Sequence, residues 1–371
     1  MSVETKELSQ DLRVESQSET DIEQDGVIDD SINDVVEFRY AITSYGADYP
    51  VDSIVSRVNK ETIFVPPFQR KYVWKLPQAS KFIESLILGL PVPGVFLSKE
   101  RESGKQLIVD GQQRILTLHK FYEGIFEGKE FKLKGVQSDL EGKTYKTLSI
   151  NDQTRLDDSI IHATIIKQDA PTDDESSIYM VFERLNTGGT PLRPQEIRAC
   201  IFYGELNEYL SRCTLSESWR LIFGKPNTRM KEEELILRFF ALYYEHPKYQ
   251  KPLKTFLNSF MSRNRNFGIH DENKLNDVFI PTVEFIAKTL GKDAFRPDRA
   301  LNAAVFDAVM IATASYIVEK TDDLNAELYK KSYYQLLKDE EFKASVTRGT
   351  SDENSVSKRI ELAIKYLSNP Q

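Results

Sequence analysis

A strand pattern gives way to a helix pattern across one glycine in Gln106-Leu-Ile-Val-Asp110-Gly111-Gln112-Gln113-Arg114-Ile-Leu-Thr-Leu-His119. A chain that turns so tightly must place the strand end and the helix start side by side. Gly111 allows the turn because it has no Cβ to clash. The N–H groups of Gln112, Gln113 and Arg114 then point outward at the helix start, where the helix dipole favours an anion. Arg114 adds a planar, permanently charged fork that suits a phosphate. Asp110, at the strand end, suits a Mg²⁺ bridging phosphate oxygens, or the orientation of a water. The same spacing also suits a plainer arrangement, in which Asp110 caps the helix and Arg114 forms a surface pair. At this level both remain open.

Two other segments concentrate chemistry. In Phe64-Val-Pro66-Pro67-Phe68-Gln69-Arg70-Lys71-Tyr72-Val-Trp74 the prolines hold the backbone extended and aromatics flank Gln69 and Arg70. Arg70 suits a second phosphate contact. Tyr72 and Trp74 suit either stacking on a base or covering the core, and core is the better fit. The third segment runs from Val181 to Arg198 and breaks at Gly188-Gly189 before Pro194 restarts a helix. Asn186 with the glycine pair is a plain helix stop. Arg184, Asn186, Glu196 and Arg198 around one break suit the lining of a cleft equally well, with Arg184 or Arg198 reaching a terminal phosphate.

Charge divides the chain. Residues 1–36 hold eleven acids against Lys6 and Arg13, a charge of -9, which leaves +1 of the formal -8 for residues 37–371. The first 36 residues have no aromatics and no sustained apolar periodicity, and are expected to form a disordered acidic tail. The near-neutral remainder is unlike a protein that holds DNA by phosphate contacts alone. From 37 to 172 the pattern mixes helix and strand. Helices are expected at 52–58, 77–88 and 115–122, the last closed by Gly124, and extended segments at 62–65, 94–98, 106–109 and 160–168. After Asp173 the pattern is helical, at 175–185, from Pro194, and at 232–244, 254–261, 274–290, 300–319, 326–337 and 355–367. The expected fold is therefore α+β, with a mixed sheet-and-helix domain over 37–172 and an all-α domain over 173–371.

Several classes find no support. No run of 18 apolar residues exists, and Met1 to Gln10 has no apolar signal region, so neither a membrane span nor a signal peptide is expected. Cys200 and Cys213 cannot make a disulfide framework, which points to a reducing, cytoplasmic setting. Gly142-Lys143-Thr144 ends like a P-loop, but Gln137 stands where the required glycine would be. His119, His162, His246 and His270 show no metal-ligand spacing with the cysteines. Neither a Ser-His-Asp nor a His-Asn-His arrangement is visible.

Five segments, Pro67-Phe-Gln-Arg-Lys-Tyr-Val-Trp74, Ile83-Glu-Ser-Leu86, Gly89-Leu-Pro-Val-Pro93, Asp110 to Arg114, and Phe182-Glu-Arg-Leu-Asn-Thr-Gly-Gly189, occur in the order seen in the GmrSD-type N-terminal domain family. The resemblance covers roughly 42–209. It implies a domain similar to ParB and sulfiredoxin, whose Gly-x-x-Arg turn, here Gly111 to Arg114, meets nucleotide phosphates. It further implies NTP and Mg²⁺ as cofactors, with Asp110 as metal ligand and Asp110, Gln113 and Arg114 as catalytic residues. Gln69, Arg70, Gly111, Gln112, Arg184, Asn186 and Glu196 are the expected nucleotide contacts. Family members couple NTP binding and hydrolysis to cleavage of modified phage DNA, cut by a His-Asn-His domain or a separate nuclease subunit. This chain has no such motif, so a nuclease acting alone is not expected.

Three functions follow as expectations. The first is a Mg²⁺-dependent NTPase that regulates a modification-dependent, anti-phage restriction system. The second is a DNA-binding or adaptor module switched by nucleotide without hydrolysis. The third is a ParB-like nuclease, which lacks a second carboxylate or histidine beside Asp110 in sequence.

Overall fold

The computed structural model describes residues 41–65, 72–100, 103–170, 176–185, 192–227, 229–319 and 325–368. The acidic stretch 1–36 lies outside them. Two units emerge, Glu37–Tyr203 and Gly204–Gln371.

The first unit is built on a five-stranded sheet in the order β1-β7-β3-β4-β2. Its strands are β1 (Ala41–Pro50), β2 (Ile63–Phe64), β3 (Val95–Lys99), β4 (Gln106–Asp110) and β7 (Ile160–Ala170), while β5 (Ile125–Phe126) and β6 (Lys129–Glu130) form a separate hairpin. β4 lies between β3 and β2, antiparallel to the first and parallel to the second. Leu107, Ile108 and Val109 are all buried, as expected of a strand covered on both faces. Ile108 belongs to the core that also holds Leu97, Ile115, Leu118 and Phe121. Four helices also contribute to that core: α1 (Val51–Asn59), α2 (Leu76–Ile87), α3 (Gln112–Glu123) and α4 (Ile150–Asp158). Gly124, in the left-handed conformation, stops α3.

The expected helices and strands of this unit all form, within a few residues of the expected ends. β1 was not legible in the pattern. Its residues Ile42 to Gly46 are all exposed, so no apolar alternation marks it. Antiparallel pairing with β7 along its length makes it a strand. α4 was missed for a similar reason, because Leu156 is its one buried residue.

The division between units falls after Tyr203, not between 172 and 173. α5 (Ser176–Leu185) packs against β4 and β7, with Tyr179 and Phe182 buried. α6 (Pro194–Ile201) packs on α5. Both helices therefore belong with the sheet, although their periodicity reads as the start of a helical region.

The second unit is helical. It comprises α7 (Glu205–Cys213), α8 (Glu217–Phe223), α9 (Lys231–Glu245), α10 (Leu253–Asn264), α11 (Glu272–Thr289), α12 (Ala303–Glu319), α13 (Ala326–Leu336), α14 (Glu340–Thr347) and α15 (Glu353–Leu367). α12 is apolar nearly all round and packs against α9, α11 and α15, so it forms the axis of this unit. Among the described residues no helix is long and apolar enough to cross a membrane. Cys200 in α6 and Cys213 in α7 are both buried and free.

Candidate functional site

β4 reaches its end with a register irregularity: Leu97 pairs with Ile108, and Phe96 with Asp110. The next residue, Gly111, takes φ 93° and caps α3. A Cβ there would lie 2.4 Å from Val95 Cγ1 and 3.2 Å from Arg114 Nη2. Glycine is thus required twice over, by backbone conformation and by space. The first helical bond runs from Ile115 N to Gly111 O at 3.0 Å. Gly111 has no side chain to cap the first turn, and the positive end of a helix dipole favours an anion.

Asp110 does not cap the helix. Its Oδ2 accepts a hydrogen bond from Arg114 Nη2 at 2.8 Å, an ion pair across one helical turn. The pair is not the exposed one that spacing allowed. The Arg114 side chain is 16% exposed and that of Asp110 39%. Arg114 Nε is buried with no hydrogen-bond partner among the described residues. A guanidinium donor buried in this way is costly, and a ligand with acceptor oxygens relieves that cost only if it reaches the same fork.

Gln113 has a different task. Its Oε1 accepts from Val73 N at 2.9 Å and Trp74 N at 3.2 Å, clamping a segment some 40 residues earlier onto α3. One turn on, Thr117 Oγ1 donates to Gln113 O and shares a 2.8 Å hydrogen bond with the Tyr72 hydroxyl. Lys120 Nζ lies 5.1 Å from the Tyr72 ring centroid. Gln113, Thr117 and Lys120 thus form one stripe of α3 that holds Tyr72 to Trp74. Burial raises the Tyr72 phenol pKa above its usual value. Tyr72 and Trp74 pack edge-on against Phe126 and Phe82, so these aromatics serve the core. Thr117 and Lys120 were not singled out from sequence, yet their spacing from Gln113, i+4 and i+7, was the available signal.

Replacing Gln113 by leucine removes the acceptor for two backbone N–H groups. Amide exchange at Val73 and Trp74 is then expected to accelerate, with a stability loss of about 1–3 kcal/mol. Gln113→Glu keeps an acceptor and should protect both amides. Equal exchange in wild type and Gln113→Leu, followed by NMR or mass spectrometry, would contradict the clamp.

The remaining candidates divide. Gln69, Arg70 and Asn186 lie outside the described residues. Arg184 is exposed in the last turn of α5. Glu196 is 3% exposed, and its Oε2 accepts from Arg193 N at 2.6 Å as part of the capping box of α6. That carboxylate orders its own helix start. Arg198 is likewise buried, with Nη1 donating to Gln195 Oε1 at 2.6 Å. The local turn thus brings Asp110, Gly111, Gln112, Gln113 and Arg114 together, while Glu196 and Arg198 have structural bonds of their own.

Among the described residues no group of three His, Cys, Asp or Glu side chains could hold a metal ion. Asp110, the one carboxylate on the turn, is engaged by Arg114.

No curated protein matches the chain. The family model described as GmrSD restriction endonuclease, N-terminal domain, matches residues 51–203 and ends with the sheet-bearing unit. The glycine-capped turn, its mostly buried arginine and the two helices retained beside the sheet therefore all lie within residues 51–203, the stretch that is similar to the GmrSD restriction endonuclease N-terminal domain.

Proposed function

We propose that the sheet-bearing unit binds a nucleoside triphosphate by its phosphates at the Gly111 to Arg114 turn, and that this binding regulates a restriction system. One observation carries the reading: Arg114 is mostly buried beside a glycine-capped helix start, with one guanidinium donor lacking a partner among the described residues. First-turn N–H groups and a guanidinium form charge-assisted hydrogen bonds to phosphate oxygens. Gly111 lets the turn close against Val95 and the Arg114 guanidinium, because a Cβ there would lie 2.4 Å from Val95 Cγ1 and 3.2 Å from Arg114 Nη2. Gln113 holds Tyr72 to Trp74 against the same helix, which keeps the wall beside the turn in place. Modified phage DNA and a separate nuclease subunit are the partners this reading supposes. Hydrolysis of the nucleotide, and its stimulation by DNA, complete it.

A second reading is binding without hydrolysis, as a switch. It is favoured by the state of the turn's oxygens: Asp110 Oδ2 is paired with Arg114, and Gln113 Oε1 is occupied by two amides. Neither is a ready base for an attacking water.

Phosphate release from each of the four NTPs with Mg²⁺, with and without phage DNA, separates the two. For wild type, turnover is expected. Arg114→Ala should weaken nucleotide binding by roughly 10–100-fold, the effect of losing a charged hydrogen bond or two. Unchanged affinity in that variant would remove the turn from the nucleotide site. Tight binding with no phosphate release would replace the NTPase with the switch.

A further inference from the structure

We infer that Asp110 is the counter-ion that holds and neutralises Arg114, and not a ligand for a divalent cation, so that its carboxylate competes with any anion bound at the turn. The inference deepens the phosphate-site reading and rests on it. The two side chains sit four residues apart and meet at 2.8 Å. The guanidinium crosses the space that a Cβ at Gly111 would crowd, at 3.2 Å from Nη2. Its side chain is 16% exposed. A guanidinium that buried is strongly disfavoured without an opposite charge, and Asp110 provides it. Asp110 itself is 39% exposed and stands in no group of three potential ligands among the described residues. A cation bound through Oδ2 would draw that oxygen away from Arg114 and strand the mostly buried charge.

The pair makes the ligand-free turn locally neutral. A phosphate that reaches the guanidinium must therefore approach a carboxylate of its own sign. Asp110→Asn keeps the shape and removes the charge. Anion affinity should consequently rise in that variant, which is the opposite of losing a metal ligand or a structural residue.

The test is calorimetric titration of full-length wild type, Asp110→Asn and Arg114→Ala with pyrophosphate and with ATP, in EDTA and in Mg²⁺. In EDTA, Asp110→Asn is expected to bind both about tenfold more tightly than wild type, the effect of one unscreened like charge at a partly buried site. The ratio of Mg²⁺ to EDTA affinities should be the same in both. Weaker or equal binding by Asp110→Asn in EDTA, or loss of the Mg²⁺ dependence in that variant alone, overturns the inference. If neither wild type nor Arg114→Ala binds either probe in either buffer while Asp110→Asn does, the nucleotide reading falls and the counter-ion stands. Thermal unfolding gives a ligand-free check. Losses in Asp110→Asn and Arg114→Met that are less than additive in the double variant support the pair, and additive losses overturn it.

Discussion

Asp307→Ala is expected to cost the helical unit about 3–5 kcal/mol, the largest effect of any single substitution considered for this chain. Asp307 in α12 is fully buried. Its Oδ1 accepts from Arg238 Nε at 3.1 Å, and its Oδ2 from Arg238 Nη2 at 2.7 Å and Arg359 Nη2 at 2.9 Å. One carboxylate thus ties α9, α12 and α15 together at the axis of the unit. Alanine removes that carboxylate and leaves two buried guanidiniums facing each other without it. The midpoint of thermal unfolding should fall by roughly 10 °C for a unit of this size. Asp307→Asn keeps an acceptor but not the charge, and should fall in between. A shift below about 2 °C for the alanine variant, measured by calorimetry, would show that the cluster contributes little. Replacing all three residues by apolar ones is a different experiment, since removing the charges together is often neutral.

Gly111→Ala is the second large effect, at about 3 kcal/mol. Two causes add. A non-glycine residue at φ 93° carries the left-handed penalty of roughly 1–2 kcal/mol. The new Cβ at 2.4 Å from Val95 Cγ1 and 2.9 Å from Val95 Cβ overpacks the core by a further 1–3 kcal/mol, on the order of other such insertions. Gly135→Ala separates the two, because Gly135 has φ 73° with nothing within 4 Å of its Cβ position. It should show the backbone penalty alone. Urea unfolding of both variants reads the difference. Equal losses would mean that Val95 yields, and adding Val95→Ala to Gly111→Ala should recover part of the larger loss. Nucleotide affinity should drop only in the Gly111 variant, since that Cβ also presses on Arg114.

Much of the candidate site was legible because it is local. A Leu-Ile-Val strand, one glycine and an amphipathic helix decide the β4 to α3 turn within a few residues, and the Asp110 to Arg114 pair closes within one helical turn. What spacing left open there was burial. Whether Arg114 lies on the surface or beneath it depends on Val95 and the neighbouring strand, which approach from elsewhere in the chain. Glu196 shows the same limit: its place near a helix break suggested a cleft, and its position at N3 of α6 decided that it bonds its own helix start.

By itself the sequence determined most of the helices, the buried strands, the glycine-capped turn and the identity of the residues around it, because each depends on neighbours a few positions away; α4, α7, α8 and α14 were not legible in it. The tertiary structure alone decided that α5 and α6 side with the sheet, that β1 is a strand, that Gln113 grips Val73 and Trp74, and that Arg238, Asp307 and Arg359 share one buried charge cluster. The physical reason is common to all four. Burial and hydrogen bonding across long stretches of chain are properties of which surfaces meet, and local periodicity records only that a surface is apolar, not what covers it.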